Sequence, residues 1–369
     1  MRAYLDWNAT TPLHPDVLAA MNDANEKAWG NPSSIHADGR AARAGLEDAR
    51  AAVAELAGAD PRDVVLTSGG TEANNIAMRS AFASSNARRV IVTSRIEHPS
   101  IVRVAEALAR EGRAEVRFVK VKPSGEIDLE DLERIVDRDT ALVTVQAVNH
   151  ETGIVQPVAE VIAIARRADA RVHVDAVQAW GKIDLAKGWD TASLAAHKMR
   201  GPKGIGALVT KPHLRLEPVL VGGTQEKGIR PGTPPASLAA GLGVAAKLAS
   251  PTKWSALATR RDALERKLLD LGRSRVAGDP TRRVAHVSNL LWQGWIGAEL
   301  VAALDLEGVS VSAGAACSAG TVEPSPVLAS MFGQTPDALS GVRVSIGETT
   351  TEDEIAFAVQ AFGNVLARA

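Results

Sequence analysis

The feature that most constrains the fold is an alternation of short apolar runs with amphipathic segments between residues 63 and 209. Short apolar runs separated by helical patterns are typical of parallel strands that are buried on both faces. The clearest helical patterns lie at 101–109 and 158–168. This alternation predicts an α/β fold in which helices flank a large, mostly parallel mixed sheet. The strand candidates are residues 64–66, 90–92, 116–119, 141–145, 172–174 and 206–209.

The rest of the chain predicts a second, smaller unit. At roughly 150 residues per domain, the 369 residues suggest about two domains. We expect a large domain over residues 16–250 and a small α+β domain made of residues 1–15 and 251–369. A capping-box pattern at Thr351 and Glu354 predicts that a final helix begins at Glu352. The other patterns in this region are helical at 236–248 and 254–271, and strand-like at 284–291 and 342–346.

Composition and charge exclude several classes of protein. The 42 basic and 43 acidic residues leave no basic excess, so no nucleic-acid partner is expected. Arg261, Arg266 and Lys267 form a small basic cluster with acidic neighbours, which predicts a solvated helix face. The chain has neither a signal core nor a run of about 18 apolar residues, so we expect no membrane segment and a cytoplasmic location. Cys317 is the single cysteine, which rules out an intrachain disulfide.

Lys198 and Asp175 are the first candidates for chemistry. A lysine amine forms a Schiff base with a carbonyl cofactor, although a lone lysine beside a turn is more often a surface residue, and Lys182 and Lys203 are rivals. Asp175 ends a predicted strand, where the ligand sites of α/β proteins collect. A carboxylate there could hold a protonated pyridine nitrogen, and Gln178 could reach a phenolic oxygen on the same ring. The alternative for Asp175 is a helix N-cap.

Three further segments follow predicted strands. In the sequence TSGGTEAN at 67–74, glycines and a helix N-terminus could bind a phosphate through Gly70 and Thr71, although many such turns bind nothing. His98 could stack on an aromatic cofactor and carry protons near neutral pH, but alone it is more often structural. Asn149 could bind the cofactor or the substrate.

Cys317 and Arg343 are the candidates nearer the C-terminus. Cys317 lies among Gly, Ala and Ser in SAGAACSAG, which favours an accessible thiol over a buried, inert one. Arg343 lies in a strand pattern, where its guanidinium could bind a substrate carboxylate. Otherwise it is an outward-facing strand residue.

Taken together, these segments resemble the NifS-like cysteine desulfurases, a branch of the class-V aminotransferase group among the fold-type I pyridoxal-phosphate (PLP) enzymes. The resemblance runs through YLDWNATTP at 4–12, GNPSS at 30–34 and AHKMRGPKG at 196–204 to Gly347. The last of these three motifs is specific for the group. Cys317, followed by EPS at 323–325, resembles the longer-loop subgroup.

The resemblance implies PLP as the cofactor and a role for each candidate. Lys198 would hold PLP as a Schiff base, Asp175 would pair with the pyridine nitrogen and Gln178 with the phenolate, and His98 would stack on the ring. The phosphate would be bound by Gly70, Thr71 and His197, together with Thr233 from the neighbouring subunit of a homodimer. Asn149, Arg343 and Asn31 would bind the substrate.

The implied activity is the removal of sulfur from L-cysteine, which leaves L-alanine and a persulfide on Cys317. An acceptor or scaffold protein would collect the sulfur for iron–sulfur clusters or tRNA thiolation. The protein alone would hold no metal, and Cys317 would be a transient ligand of a nascent cluster. One departure is Ala195, where the group usually has a serine that binds the phosphate. Alternatives are a selenocysteine lyase, an aminotransferase of small amino acids, and a non-catalytic PLP-binding scaffold.

Overall fold

The structure is a computed structural model that describes residues 1–82, 88–314 and 324–368. Its largest element is a seven-stranded sheet in the order β2-β8-β7-β6-β5-β3-β4. Within this sheet only β8 runs antiparallel to its neighbours. The strands are β2 Val64–Thr67, β3 Val90–Ser94, β4 Glu115–Val119, β5 Thr140–Gln146, β6 Arg171–Asp175, β7 Thr191–Ala195 and β8 Gly206–Thr210. The predicted α/β fold with a mostly parallel mixed sheet is therefore confirmed.

Helices cover both faces of this sheet. The helices of the first 250 residues are α1 Pro15–Lys27, α2 Ala37–Ala57, α3 Gly70–Ser80, α4 Pro99–Arg110, α5 Leu129–Ile135, α6 Val158–Arg167 and α7 Ala236–Leu248. On one face, buried side chains of α2, α6 and α7 pack against β5 and β6. On the other face, α3 and α4 pack against β3 and β5.

A second core brings the two chain ends together. Its helices are α8 Pro251–Ser255, α9 Ala258–Leu269, α10 Gly297–Leu306, α11 Pro326–Phe332 and α12 Glu352–Leu366, and its strands are β1 Ala3–Tyr4, β9 Ser274–Val276, β10 Val287–Trp292, β11 Val309–Ser310 and β12 Gly341–Ser345. β9, β10 and β12 form an antiparallel sheet, and β1 pairs with β11. Leu5 and Trp7 are buried in the same cluster as Phe362. A smaller α+β unit is thus present, while the boundaries at 15 and 250 stay a prediction.

Two expectations about the helices need correction. The single predicted helix at 254–271 is divided into α8 and α9, with a break at residues 256–257. Arg261 does not lie on a solvated face: it is buried, and its guanidinium donates hydrogen bonds to the carbonyls of Val284 (3.0 Å) and Val287 (3.1 Å). The capping box at Thr351 and Glu354 is present. In the described ranges, no helix has both the length and the apolar character that a membrane crossing needs.

Candidate active site

The candidate residues follow neighbouring strands at one edge of the large sheet. Asp175 is the last residue of β6, and Lys198 comes three residues after the end of β7. His98 follows β3, and Asn149 follows β5. Because the carboxyl ends of parallel strands meet at the same edge, these four residues lie around one crevice, as ligand sites in such sheets do. The pairing of Asp175 with Ser193 on β7 fixes this arrangement.

The N-terminal segment covers the lysine. Lys198 Nζ donates hydrogen bonds to the backbone carbonyls of Asn8 and Ala9, each at 2.8 Å. Gln178 Nε2 donates to the same Asn8 carbonyl at 3.0 Å. Lys198 and Gln178 therefore share one acceptor, which brings the predicted Schiff-base lysine next to the amide that follows Asp175.

Asp175 is a buried carboxylate with a defined set of donors. Its Oδ2 accepts from Asn74 Nδ2 at 2.8 Å, and its Oδ1 accepts from Ser193 Oγ (3.3 Å) and from the backbone N–H of Val177 (3.1 Å). A carboxylate has about four acceptor sites, so one further donor can be accommodated. The hydrogen bond from Val177 closes a local turn, but the described residues between β6 and β7 form no helix, so the N-cap alternative for Asp175 is wrong. The bonds from Asn74 and Ser193 come from residues that are distant in the sequence.

His98 is half-buried at the N-terminus of α4. Its Nδ1 accepts the N-cap hydrogen bond from the backbone N–H of Ser100 at 3.1 Å and lies 2.7 Å from Ser100 Oγ. Burial lowers the pKa of His98, and the charge of Lys198 acts in the same direction, whereas Asp175 raises it. The ring also packs edge-to-face against His150, with 5.6 Å between centroids. His98 is thus held neutral between the lysine and the aspartate.

The glycine turn at the start of α3 faces the same crevice. No side chain caps this helix, so the N–H groups of its first turn are available to an anion. A Cβ atom on Gly70 would lie 2.5 Å from Val177 Cγ2 and 3.8 Å from Ala195 Cβ. The turn therefore packs directly against the ends of β6 and β7. Ala195, which stands where the resemblance implies a serine, presents a methyl group to this turn instead of a hydroxyl.

His197 lies on the other side of the lysine. Its Nδ1 is 3.1 Å from Thr10 Oγ1, and its backbone carbonyl accepts from Thr11. Burial, followed by the charges of nearby lysines, lowers the pKa of His197 to about 4. The ring is therefore neutral at pH 7 and can donate to a phosphate through one nitrogen.

Arg343 and Asn149 are buried, and both side chains already form hydrogen bonds within the protein. Arg343 forms a 2.6 Å ion pair with Asp6 and donates to the His150 carbonyl, while its Nε has no hydrogen-bond partner among the described residues. Asn149 Oδ1 accepts from the backbone N–H groups of Glu151 and Thr152, and its Nδ2 donates to the Ile96 carbonyl. Both side chains therefore shape the edge of the crevice, and their substrate contacts stay predictions.

The structure records no contact between this crevice and three of the predicted residues. Asn31, Thr71 and Thr233 are exposed, and Asn31 Oδ1 accepts from the nearby backbone N–H of Ser33. Cys317 lies outside the described residues. Gly314 and Pro324, on either side of the segment that contains Cys317, line a cavity of about 680 Å³ that also reaches His150 and Glu97.

Sequence reasoning missed several polar residues of the site. Asn8 provides the carbonyl that Lys198 and Gln178 share, and Asn74 binds Asp175. Lys182, considered only as a rival for Lys198, is buried and donates to Gln178 Oε1 at 2.9 Å. Burial lowers the pKa of Lys182 well below its usual value, and the charges of Lys198 and Arg343 lower it further. No helical pattern could have shown this contact, because Gln178 and Lys182 lie in a turn between β6 and β7.

These residues fit PLP. The crevice offers an amine, a buried carboxylate with one acceptor site to spare, and an uncapped helix N-terminus beside a glycine that packs too closely to carry a side chain. These groups match the aldehyde, the ring nitrogen and the phosphate of that cofactor.

Comparisons with known proteins agree with this site. The family model for class-V aminotransferases matches residues 3–357. A cysteine desulfurase of Cereibacter sphaeroides is 41% identical over 96% of this chain and 93% of its own length. A solved NifS-like protein covers both chains fully, with a TM-score of 0.93 and 30% identity. A protein named SspA, solved in complex with cysteine, has a TM-score of 0.83 and 30% identity over 95% of this chain and all of its own.

The chain belongs to the class-V aminotransferase family, whose members are PLP-dependent enzymes. Its resemblance to NifS-like proteins, predicted from the sequence motifs, is confirmed over nearly the whole length. Within the family it groups with the cysteine desulfurases.

Proposed function

We propose that the protein is a cysteine desulfurase that converts L-cysteine to L-alanine and holds the released sulfur as a persulfide on Cys317. The observation that carries the proposal is the convergence of Lys198, Asp175 and His98 at one sheet edge, in a chain that resembles cysteine desulfurases along its length. When bound, PLP would supply the electron sink that allows bonds at the substrate Cα and Cβ to break.

The chain's own residues would divide the work as follows. Asp175 would keep the pyridine nitrogen protonated, and Gln178, oriented by Lys182, would donate to the phenolic oxygen. Gly70, Thr71 and His197 would hold the phosphate. Lys198, whose Nζ shares the Asn8 carbonyl with Gln178 Nε2, would anchor the cofactor and move the Cα proton. His98 would exchange a proton with the departing sulfur.

The sulfur transfer balances without an outside oxidant. The Cys317 thiolate attacks the substrate sulfur, so an S–S bond forms while the Cβ–S bond breaks. The electron pair of the broken bond stays with the substrate carbon skeleton, which takes up protons and leaves as alanine. Both sulfur atoms are oxidised by one electron, and the carbon is reduced by two. An acceptor or scaffold protein would then remove the persulfide sulfur, for an iron–sulfur cluster or for tRNA thiolation.

We also infer a homodimer. Trp29, Ile35 and Val221 expose 71%, 89% and 98% of their surfaces, which is unusual for large apolar residues. Trp29 and Ile35 flank Asn31, and the exposed Thr233 follows Val221 along the chain. We propose that a partner covering these side chains also contributes Thr233 to the neighbouring active site, as the resemblance to cysteine desulfurases implies. Light scattering should give twice the chain mass, and Val221→Glu should shift the mass toward one chain.

An anaerobic assay with L-cysteine tests the activity. Wild type should release alanine and, with a thiol reductant, sulfide in equal amounts. Lys198→Ala should lose both products and the visible absorbance of the Schiff base, whereas Cys317→Ala should keep the absorbance and lose sulfide. Lys267→Ala, which changes an exposed lysine of α9, serves as the matched control. If Cys317→Ala releases sulfide as fast as wild type, the persulfide proposal is wrong. If it transaminates instead, the protein is an aminotransferase.

A further inference from the structure

A buried hydrogen-bonded chain connects His98 to Asp175 beneath the crevice. His98 Nδ1 lies 2.7 Å from Ser100 Oγ, and Ser100 Oγ lies 2.8 Å from Asn74 Nδ2. Asn74 Nδ2 is also 2.8 Å from Asp175 Oδ2. Ser100, Asn74 and Asp175 are each less than one-tenth exposed, so water does not compete for these bonds. His98 and Asp175, which have separate proposed roles toward the cofactor, are thus joined by Ser100 and Asn74, which have none.

The direction of each bond near Asp175 can be assigned from the donors and acceptors available. The Asp175 carboxylate also accepts from Ser193 Oγ and from the Val177 N–H. An ionised carboxylate only accepts, so the Asn74 amide must present Nδ2 to it. The second Nδ2 hydrogen then points to Ser100 Oγ. The Asn74 Oδ1 atom lies 3.0 Å from His173 Nε2, which must therefore carry a hydrogen.

The same reasoning determines the protonation of His98. Ser100 Oγ accepts from Asn74, so the hydroxyl hydrogen is free to be donated to His98 Nδ1. The backbone N–H of Ser100 donates to that nitrogen too, at 3.1 Å. Nδ1 is therefore an acceptor for two donors, and a neutral ring must carry its proton on Nε2. Among the described residues, no hydrogen bond reaches Nε2, which leaves that atom to face the reaction.

We propose that Ser100 and Asn74 are positioning residues that hold His98 as a neutral imidazole protonated on Nε2. The proposal rests on the role given to His98 in the proposed function and specifies it. To become an imidazolium, His98 would have to accept a proton on Nδ1 and so break two hydrogen bonds. His98 therefore acts through the Nε2 proton of a neutral ring and not as a preformed cation. The lowered pKa that burial produces acts in the same direction.

Nuclear magnetic resonance tests the tautomer directly. In holoenzyme labelled with ¹⁵N at histidine, the His98 signals should show an unprotonated, hydrogen-bonded Nδ1 and a protonated Nε2 at pH 7. The His98→Gln spectrum assigns the resonances. This readout does not depend on turnover, so it stays informative if the enzyme proves to act on another amino acid. A proton on Nδ1 in wild type would overturn the proposal.

Ser100→Ala tests the causal link. Loss of one of two donors should allow the Nδ1-protonated form and raise the pKa of His98. The acidic limb of the pH–rate profile should move to higher pH, and kcat at pH 7 should fall about fivefold, as expected for one lost hydrogen bond. Asn74→Ala should shift the profile in the same direction, because the Ser100 hydroxyl is then free to turn away.

Two further variants separate positioning from a general effect on folding. Ser100→Thr keeps the hydroxyl and should restore both the tautomer and the pH profile. Ser255→Ala removes an exposed hydroxyl that bonds only the Thr252 carbonyl of its own helix, and should change neither. If Ser100→Ala binds PLP and keeps the wild-type tautomer and profile, Ser100 does not position His98. If Ser100→Ala fails to fold, Ser100→Thr and the wild-type spectrum still decide the matter, because a protonated Nδ1 in either would contradict the assignment.

Discussion

Gly70→Ala should destabilise the protein because of one specific contact. The added Cβ would lie 2.5 Å from Val177 Cγ2, closer than real Cβ atoms come to a carbon, while its next neighbours, Ala195 Cβ and Val177 Cβ, lie at 3.8 Å. Val177 lies two residues after Asp175, the last residue of β6, and its backbone N–H donates to the Asp175 carboxylate, so a shift of the Val177 backbone would disturb the site. Overpacking of this kind costs roughly 1–3 kcal/mol in the free energy of unfolding.

Val177→Ala should relieve this clash. It removes Cγ2 and leaves only ordinary van der Waals contacts around the new methyl group. Because Val177 is half-buried, Val177→Ala alone should cost about 1 kcal/mol. The double variant Gly70→Ala/Val177→Ala should be more stable than the sum of the single changes predicts, with a coupling energy of about 1–2 kcal/mol.

Urea denaturation of the apoprotein at one fixed concentration measures these energies. The matched control is Gly45→Ala in α2, where an added Cβ meets no atom within 4 Å. This change should stabilise the protein by about 0.5 kcal/mol, because alanine favours a helix more than glycine. If the costs of Gly70→Ala and Val177→Ala simply add in the double variant, the contact with Val177 Cγ2 does not exclude a side chain at residue 70. The argument for the tight turn would then be wrong.

Three further predictions concern Glu97, Ala195 and Asp6. Burial raises the pKa of Glu97 from 4.5 to about 8, so the folded protein keeps a proton that the unfolded chain loses. Stability should therefore fall as pH rises from about 4.5 to about 8, and Glu97→Gln should flatten that slope in urea titrations. Ala195→Ser should place a hydroxyl beside the turn at Gly70 and tighten PLP binding about fivefold in fluorescence titrations; unchanged affinity would exclude a phosphate there. Asp6→Ala should cost about 3 kcal/mol by leaving Arg343 unpaired, whereas Asp305→Ala, at an exposed pair, should cost less than about 1 kcal/mol; equal losses would contradict this reading.

The sequence predicted those strands of the large sheet that carry an apolar run. All six strand candidates before residue 210 lie in β2, β3, β4, β5, β6 and β8. β7, with the sequence TASLA, was not among them, because its alternating small and polar residues carry no apolar run. It is nevertheless fully buried, since Asp175 pairs with Ser193 across the strands and Trp180 donates to the Ser193 carbonyl. Tertiary contacts, not local hydrophobicity, place this strand in the sheet.

The sequence predicted those residues of the candidate site that stand in a recognisable motif at the end of a strand. Lys198, Asp175 and His98 each follow a strand, so the common edge of a parallel sheet brings them together. Ser100 and Asn74 could not be found in this way, because their importance depends on distances between α3 and α4 that no local pattern encodes. The buried position of Arg261 was missed for a similar reason, since its partners are carbonyls of a segment more than twenty residues away.

The N-terminal segment contacts both Arg343 and Lys198. Asp6 forms the ion pair with Arg343, and two residues later the Asn8 carbonyl binds Lys198. Between them, Trp7 is buried so tightly that a Cβ on Gly347 would lie 2.0 Å from its indole. A shift of one residue along this segment would exchange the two faces and break both contacts at once. The packing of Trp7 in the small core therefore sets where the Asp6 carboxylate meets Arg343 and where the Asn8 carbonyl meets Lys198.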